Sequence, residues 1–428
     1  MEYALLTRRN LRRLFSLFPE SNLPQTFQDV IAAAKKLGVS YIWIDALCII
    51  QGTQGVVDPD WFTEGRKMAD IYSGSYCNIA ATTTTNPLNS IFSQRIQDRW
   101  FAGGCCLVRA KHSRLPRYRR TCVVTRADIW ERETVGLPLF RRPWILQERF
   151  LAPRTLHFGR TQALWECGHL VAFEAFPGGF PELGRRGTGK SSSDRDQDLS
   201  QRWKHQKLAL MSRWSSGRTD FDLANVWKLC VEELSRCDKL SSEADKLPAI
   251  SGIAKVLKQG LKCHYLAGLW ETNLVKQLLW VSAHPEGAVR PASYRAPSWS
   301  WASMDGFINY PDFWEDFDVL ETVQVLDWHI ETEDGDEEFQ VLKGTYLELE
   351  GPLCLVKALG SWPEGETRFS CDADICGVGV YFSAQLDTAG EWVGISVFLL
   401  ELCPGKGLLL RPNERRIEAG YLRQDVGS

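Results

Sequence analysis

PQTFQDVIAAAKKLG at residues 24–38 and SYIWIDALCII at residues 40–50 carry the reading of the fold. In the first, Phe27, Val30, Ile31, Ala34 and Leu37 recur at helical spacing and Gly38 is a suitable stop, so a helix is predicted over 24–38. The second is short, apolar and rich in β-branched and aromatic residues, the pattern of a strand buried on both faces. After a polar loop at 51–60, Asp60 is placed to cap a helix running from Trp61 to Tyr72. YCNIAAT at 76–82 then reads as another short strand. Strand, helix and strand with short links predict a βαβ unit and a parallel sheet in the first third.

Working outward, RPWILQERFL at 142–151 suggests a helix, and 154–167 a hairpin around Gly159-Arg160. Residues 109–126 are basic and read as a solvated loop. Residues 183–200, LGRRGTGKSSSDRDQDLS, are rich in Gly, Ser and charge and read as a flexible linker or insertion. From 221 to 282 the pattern is helical. Beyond 295 it alternates as strands do, at 341–349, 376–383 and 392–402, with a solvated acidic turn at 331–338. The expected organisation is an α/β domain over 1–182 with its core at 20–170, the linker, and a mixed α+β region over 201–428.

The chain has 428 residues, 44% of them apolar and 24% charged, with a net charge of −3, the profile of a globular protein of two to three domains. Disorder throughout, collagen and a small disulfide scaffold are excluded. The near-neutral charge argues against a nucleic-acid partner. The N-terminus lacks the pattern of a signal peptide, and no run of about 18 apolar residues occurs, so no membrane span is predicted and a cytoplasmic location is expected. The 13 Cys are odd in number, without CxxC, and Cys167 with His169 is a lone C-x-H; reduced, mostly buried thiols and no metal site are expected. The 17 Trp outnumber the 11 Tyr and the 4 Met.

Gly184, Gly189, Lys190 and Ser191 satisfy a phosphate-loop pattern letter for letter. The pattern needs a buried strand before it and a helix after it, and the flanking sequence offers neither, so it is rejected.

Several polar residues interrupt apolar stripes. Asp45 lies toward the carboxyl end of the apolar run, where open α/β sheets hold their ligands. Glu64 shares a helix face with Trp61, Gly65, Met68, Ile71 and Tyr72. Trp144, Gln147 and Glu148 share a face of the 142–151 helix, and Glu166 follows Trp165 in the hairpin. Two accounts stand side by side. These groups line a site, or they satisfy one another in the core, Glu64 through an ion pair with Arg141 or Arg142.

The runs LPQTFQDVIAAAKKLGVSYIWIDALCIIQ at 23–51, DWFTEGRKMADIYSGSYCNIAAT at 60–82 and FRRPWILQERFLAPRTLHFGRTQALWEC at 140–167 closely resemble the fungal heterokaryon-incompatibility (HET) domain. DKLPAISGIA at 245–254, YLAGLWETNLVKQLLW at 265–280 and APSWSWASMDG at 296–306 resemble the family's companion region. The resemblance implies a regulator of non-self recognition, innate defence and programmed cell death, with protein partners and self-association. It also implies a TIR-like, flavodoxin-like fold. By that analogy Glu64, three residues after Trp61, is the candidate catalytic residue for cleavage of NAD, assisted by Asp45. Trp61, Trp144, Gln147, Glu148 and Glu166 are then the candidate lining. HET domains usually open with an LSYxWG segment, whereas this sequence starts MEYALLTRRNLRRLF, so the first strand and part of the pocket are expected to be missing. That departure makes an inert relic the third expectation, beside a signalling interaction module and an enzyme.

Overall fold

The computed structural model describes residues 5–16, 18–52, 58–92, 105–112, 115–125, 129–134, 136–179, 223–237, 242–283, 288–310, 322–361, 367–371, 381–386, 396–403, 406–412 and 417–425. The chain divides into two compact units, Met1–Phe221 and Asp222–Ser428. The linker expected at 183–200, with the rejected phosphate-loop match, lies outside the described residues.

In the first unit the helices are α1 (Leu11–Leu14), α2 (Gln25–Lys36), α3 (Asp45–Cys48), α4 (Pro59–Ser73), α5 (Ile129–Thr134) and α6 (Ile145–Leu151). The strands are β1 (Asn78–Ala80), β2 (Cys105–His112), β3 (Leu115–Thr125), β4 (Arg154–Phe158), β5 (Ala163–Cys167) and β6 (Val171–Phe173). The predicted helices at 24–38, 61–72 and 142–151 form, and Gly38 takes φ +71° just past the end of α2 as a helix stop should. Asp58, rather than Asp60, caps α4 by accepting from the Asp60 N–H at 3.0 Å, with Pro59 in the first turn. The Asp60 side chain instead accepts from the Ile50 N–H at 2.9 Å, tying the chain beyond α3 to α4.

The unit is α/β, with one mixed four-stranded sheet in the order β1-β4-β5-β6. Its parallel pair is β1 with β4, Asn78 opposite Thr155 and Ala80 opposite His157; β4, β5 and β6 are antiparallel. The hairpin predicted at 154–167 is β4 and β5. The basic stretch expected as a loop is largely backbone of the antiparallel β2–β3 hairpin, with Lys111 opposite Arg119.

The strand predicted at 40–50 does not form, and with it the expected βαβ unit. Residues 39–44 have no regular secondary structure and no ladder partner among the described residues; Ile44 is extended, and Asp45 then turns the chain into α3. The Asp45 carboxylate accepts from the Ala46 N–H at 2.7 Å, and the Ile44 carbonyl accepts from Leu47 and Cys48. A buried strand needs neighbours that take its backbone N–H and C=O groups. Without them Tyr41 stands 92% exposed and Ile42 40% exposed.

Under the sheet lies a core of Trp130, Leu164 and Phe173. Beside it Arg149 donates to Glu166 at 2.7 Å and stacks over Trp130 and Phe140, while His157 approaches the same carboxylate oxygen at 3.3 Å. Glu133 holds the β4–β5 turn by accepting from the Thr161 N–H at 2.9 Å.

The second unit contains α7 (Leu223–Ser235), α8 (Pro248–Leu261) and α9 (Leu274–Gln277). Its small hairpin, β7 (Tyr265–Leu266) with β8 (Leu269–Trp270), turns through Ala267 and Gly268, both at positive φ. The Gly268 carbonyl accepts from the indoles of Trp227 at 2.9 Å and Trp301 at 2.7 Å. The Trp280 indole donates to the Trp299 carbonyl at 3.0 Å. Four of the excess tryptophans are thus fully buried anchors whose N–H groups or rings fix this unit. Short pairs follow, β9 (Val281–Ser282) with β10 (Ile308–Asn309) and β11 (Gln324–His329) with β12 (Tyr346–Glu350). A closed barrel comes last, built from β13 (Leu353–Ser361), β14 (Thr367–Cys371), β15 (Tyr381–Leu386), β16 (Ser396–Cys403), β17 (Lys406–Pro412) and β18 (Ile417–Asp425). The acidic turn expected to be solvated is partly occupied: Asp336 pairs with Lys255 at 2.8 Å and Glu338 with Lys258 at 2.5 Å.

Candidate functional site

A cavity of about 980 Å³ opens between α2, the segment 39–44 and the free side of β1. Its walls are mostly apolar, with Phe27, Val30 and Ala34 from α2, Trp43 and Ile44 from the segment 39–44, and Ile79 from β1. A cavity of that size with few polar groups is the usual form of a ligand site.

The polar groups gather at one end. Asp45 starts α3, Tyr72 lies in the last turn of α4, Arg142 comes from the loop before α6 and Glu148 from α6 itself. Arg142 Nη2 stands 4.0 Å from Asp45 Oδ2, both side chains about half exposed. The Tyr72 hydroxyl donates to the Glu148 carboxylate, and its ring meets Trp43 edge-on with centroids 5.7 Å apart. Asn78 Nδ2 donates to the Glu148 carbonyl at 3.4 Å and so joins β1 to α6.

Burial pushes the Glu148 carboxyl up to about 7. Asp45 pushes in the same direction, while Arg142 and the Tyr72 hydroxyl oppose it. The Tyr72 hydroxyl is itself held well above its ordinary range by burial first, then by Glu148 and Asp45. Glu148 therefore changes protonation near neutrality beside a second carboxylate, an arrangement able to transfer a proton or to hold a cation.

Of the residues singled out in sequence, the cavity brings together Asp45 and Glu148. Glu64 is not among the lining residues; it pairs with Lys67 one turn along α4 at 2.7 Å, rather than with Arg141 or Arg142. Trp61 and Trp144 pack edge to face with centroids 5.6 Å apart, outside the lining. Gln147 is buried, and Glu166 holds the Arg149–His157 cluster. Tyr72 was visible as the last member of the Glu64 face. Arg142 was visible as a candidate partner of Glu64; the turn at Asp45 brings it to Asp45 instead.

Among the described residues, no group of three or more His, Cys, Asp or Glu could hold a metal ion, and no helix is long and apolar enough to cross a membrane. Cys48, Cys77, Cys167, Cys230, Cys237 and Cys263 stand outside any disulfide. No curated protein and no solved structure matches the chain. A family model described as "Heterokaryon incompatibility protein (HET)" matches residues 7–148, a span that contains every residue lining the cavity. The match covers residues 7–148 of the 428, and over that segment the chain is similar to the heterokaryon-incompatibility (HET) family.

Proposed function

We propose that the chain regulates heterokaryon incompatibility as a signalling module whose HET domain associates with a second copy of itself. A HET domain implies a role in incompatibility; self-association is the mechanism argued for here. The observation that carries it is the mostly apolar segment 39–44, which ends on the extended Ile44, with Tyr41 92% exposed and no ladder partner among the described residues. Across the cavity, β1 pairs with β4 and with no other strand among the described residues. Unpaired extended backbone recruits strands from other chains, with main-chain hydrogen bonds supplying affinity. Growth arrest and cell death are the expected outputs of association.

Induced expression of the full chain in a fungal host tests this reading. The unaltered chain and Glu64→Gln are expected to arrest growth equally, and the double variant Tyr41→Lys/Ile42→Lys is expected to lose the effect at equal soluble abundance. Arrest by the double variant at the unaltered level would overturn the reading.

A second reading, cleavage of NAD at its glycosidic bond, is favoured by the pairing of Asp45 with Glu148 in the cavity. Carboxylate pairs serve such reactions by protonating the leaving group and stabilising oxocarbenium charge. It predicts NAD consumption by the purified chain that Glu148→Gln abolishes; no consumption by the unaltered chain removes it.

A further inference from the structure

Among the described residues at the polar end of the cavity, carboxylates outnumber cations. Two carboxylates, Asp45 and Glu148, share one guanidinium, Arg142, which stands 4.0 Å from Asp45 and is itself about half exposed. The groups that face Glu148 are Tyr72 from α4, Asp45 from α3 and Arg142 from the loop before its own helix. Of these only Arg142 is a cation, so both carboxylates are ionised together only at a cost that a second cation would relieve. The walls beside this end are aromatic and aliphatic. Trp43 and Tyr72 pack edge-on at 5.7 Å, and Ile71 and Ile79 complete the surface. Aromatic faces beside carboxylates are the setting in which organic ammonium groups bind.

We propose that this cavity binds an organic cation, with its ammonium head between Asp45 and Glu148 and its aromatic or alkyl body against Trp43, Tyr72 and Ile79. The site shares Trp43 and Ile79 with the association surface but differs from it in what it recognises, and it requires no second copy. A purely structural cluster would fix α3, α4 and α6 together and would show no preference for charge in a ligand.

A charge series on one body tests this. Tryptamine, tryptophol and indole-3-propionate share an indole and carry a cationic, a neutral and an anionic tail. Binding to the dilute full chain is followed by calorimetry in two buffers of different ionisation enthalpy. At about pH 8 tryptamine is expected to bind at least about tenfold more tightly than tryptophol, the ratio that about 1.4 kcal/mol supplies. Indole-3-propionate is expected to bind more weakly than either. At about pH 7 tryptamine binding is expected to release protons as Glu148 ionises, and its affinity is expected to fall toward about pH 6. Glu148→Gln is expected to abolish the tryptamine preference and the proton release. Asp45→Asn, at a half-exposed position, is expected to reduce the preference about fivefold or more with an unchanged melting temperature. Glu64→Gln is expected to change nothing. Equal binding of tryptamine and tryptophol, the absence of tryptamine binding, or a preference retained in Glu148→Gln would overturn the proposal. Failure of self-association leaves each of these outcomes readable, because binding is measured on the isolated chain.

Discussion

Replacing Glu148 by Gln is expected to stabilise the first unit at alkaline pH and to have little effect in acid. Burial raises the Glu148 carboxyl from its ordinary 4.5 to about 7. Between those values the folded state keeps a proton that the unfolded chain has released, so stability falls as pH rises through the window. At 1.36 kcal/mol per pH unit the gap is worth at most about 3–4 kcal/mol, and water in the open cavity reduces it to roughly 1–2 kcal/mol. Gln keeps an acceptor for the Tyr72 hydroxyl and carries no charge, so it retains the contact without the penalty. The assay is thermal unfolding of the full chain and the variant from about pH 5 to about pH 8, followed by circular dichroism. Titration of every other group is common to both proteins, so the difference between the two curves isolates Glu148. The variant's advantage is expected to grow with pH and to level off above about pH 7. A difference that is flat across the range, or that grows toward acid, would refute the argument that burial holds this carboxyl neutral.

The remaining predictions concern the packing that carries the two units. A Cβ added at Gly268 would sit 2.8 Å from Trp301 Nε1 at φ +100°, so Gly268→Ala is expected to lower the urea midpoint of the second unit by an amount equivalent to roughly 2–4 kcal/mol. Lys246 is buried, and burial first, then Arg295, lower its pKa to about 7. The unfolded chain therefore binds more protons above that value, and stability of the second unit is expected to rise between about pH 7 and about pH 10. Lys246→Met is expected to flatten that rise in pH-dependent melting curves. Glu166→Gln takes the charged partner from Arg149 in the buried cluster and is expected to cost about 3–5 kcal/mol in denaturant unfolding of the first unit.

Helical periodicity was the most legible signal. α2, α4 and α6 each form where apolar residues recur at helical spacing, because burial of one stripe is a local property of the sequence. The β4–β5 hairpin was legible for the same reason, its pairing being set by a short turn. Residues 40–44 show the opposite case. Their composition suits a buried strand, but a strand forms only with neighbours that accept its backbone groups, and no property of SYIWI itself supplies them. The parallel partner of β1 is β4, from the far side of the β2–β3 hairpin, a long-range pairing that local pattern does not encode. Among site residues, Asp45 was marked by a charge within an apolar run and Glu148 by a polar interruption of a stripe. Glu64 carried an equally strong mark, yet its helix turns it to Lys67. Which interruption faces a cavity depends on how α3, α4 and α6 converge, and that is a tertiary property.

Self-association through the open side of the sheet is tested most directly by amide hydrogen exchange across a dilution series of the full chain. The account predicts that amides of residues 40–43 and 78–80 gain protection as concentration rises, in step with the oligomer seen by sedimentation, and that Tyr41→Lys/Ile42→Lys abolishes both. Exchange at those amides that stays constant while the chain assembles through other residues, or growth arrest by a chain that remains monomeric at every concentration, would contradict it.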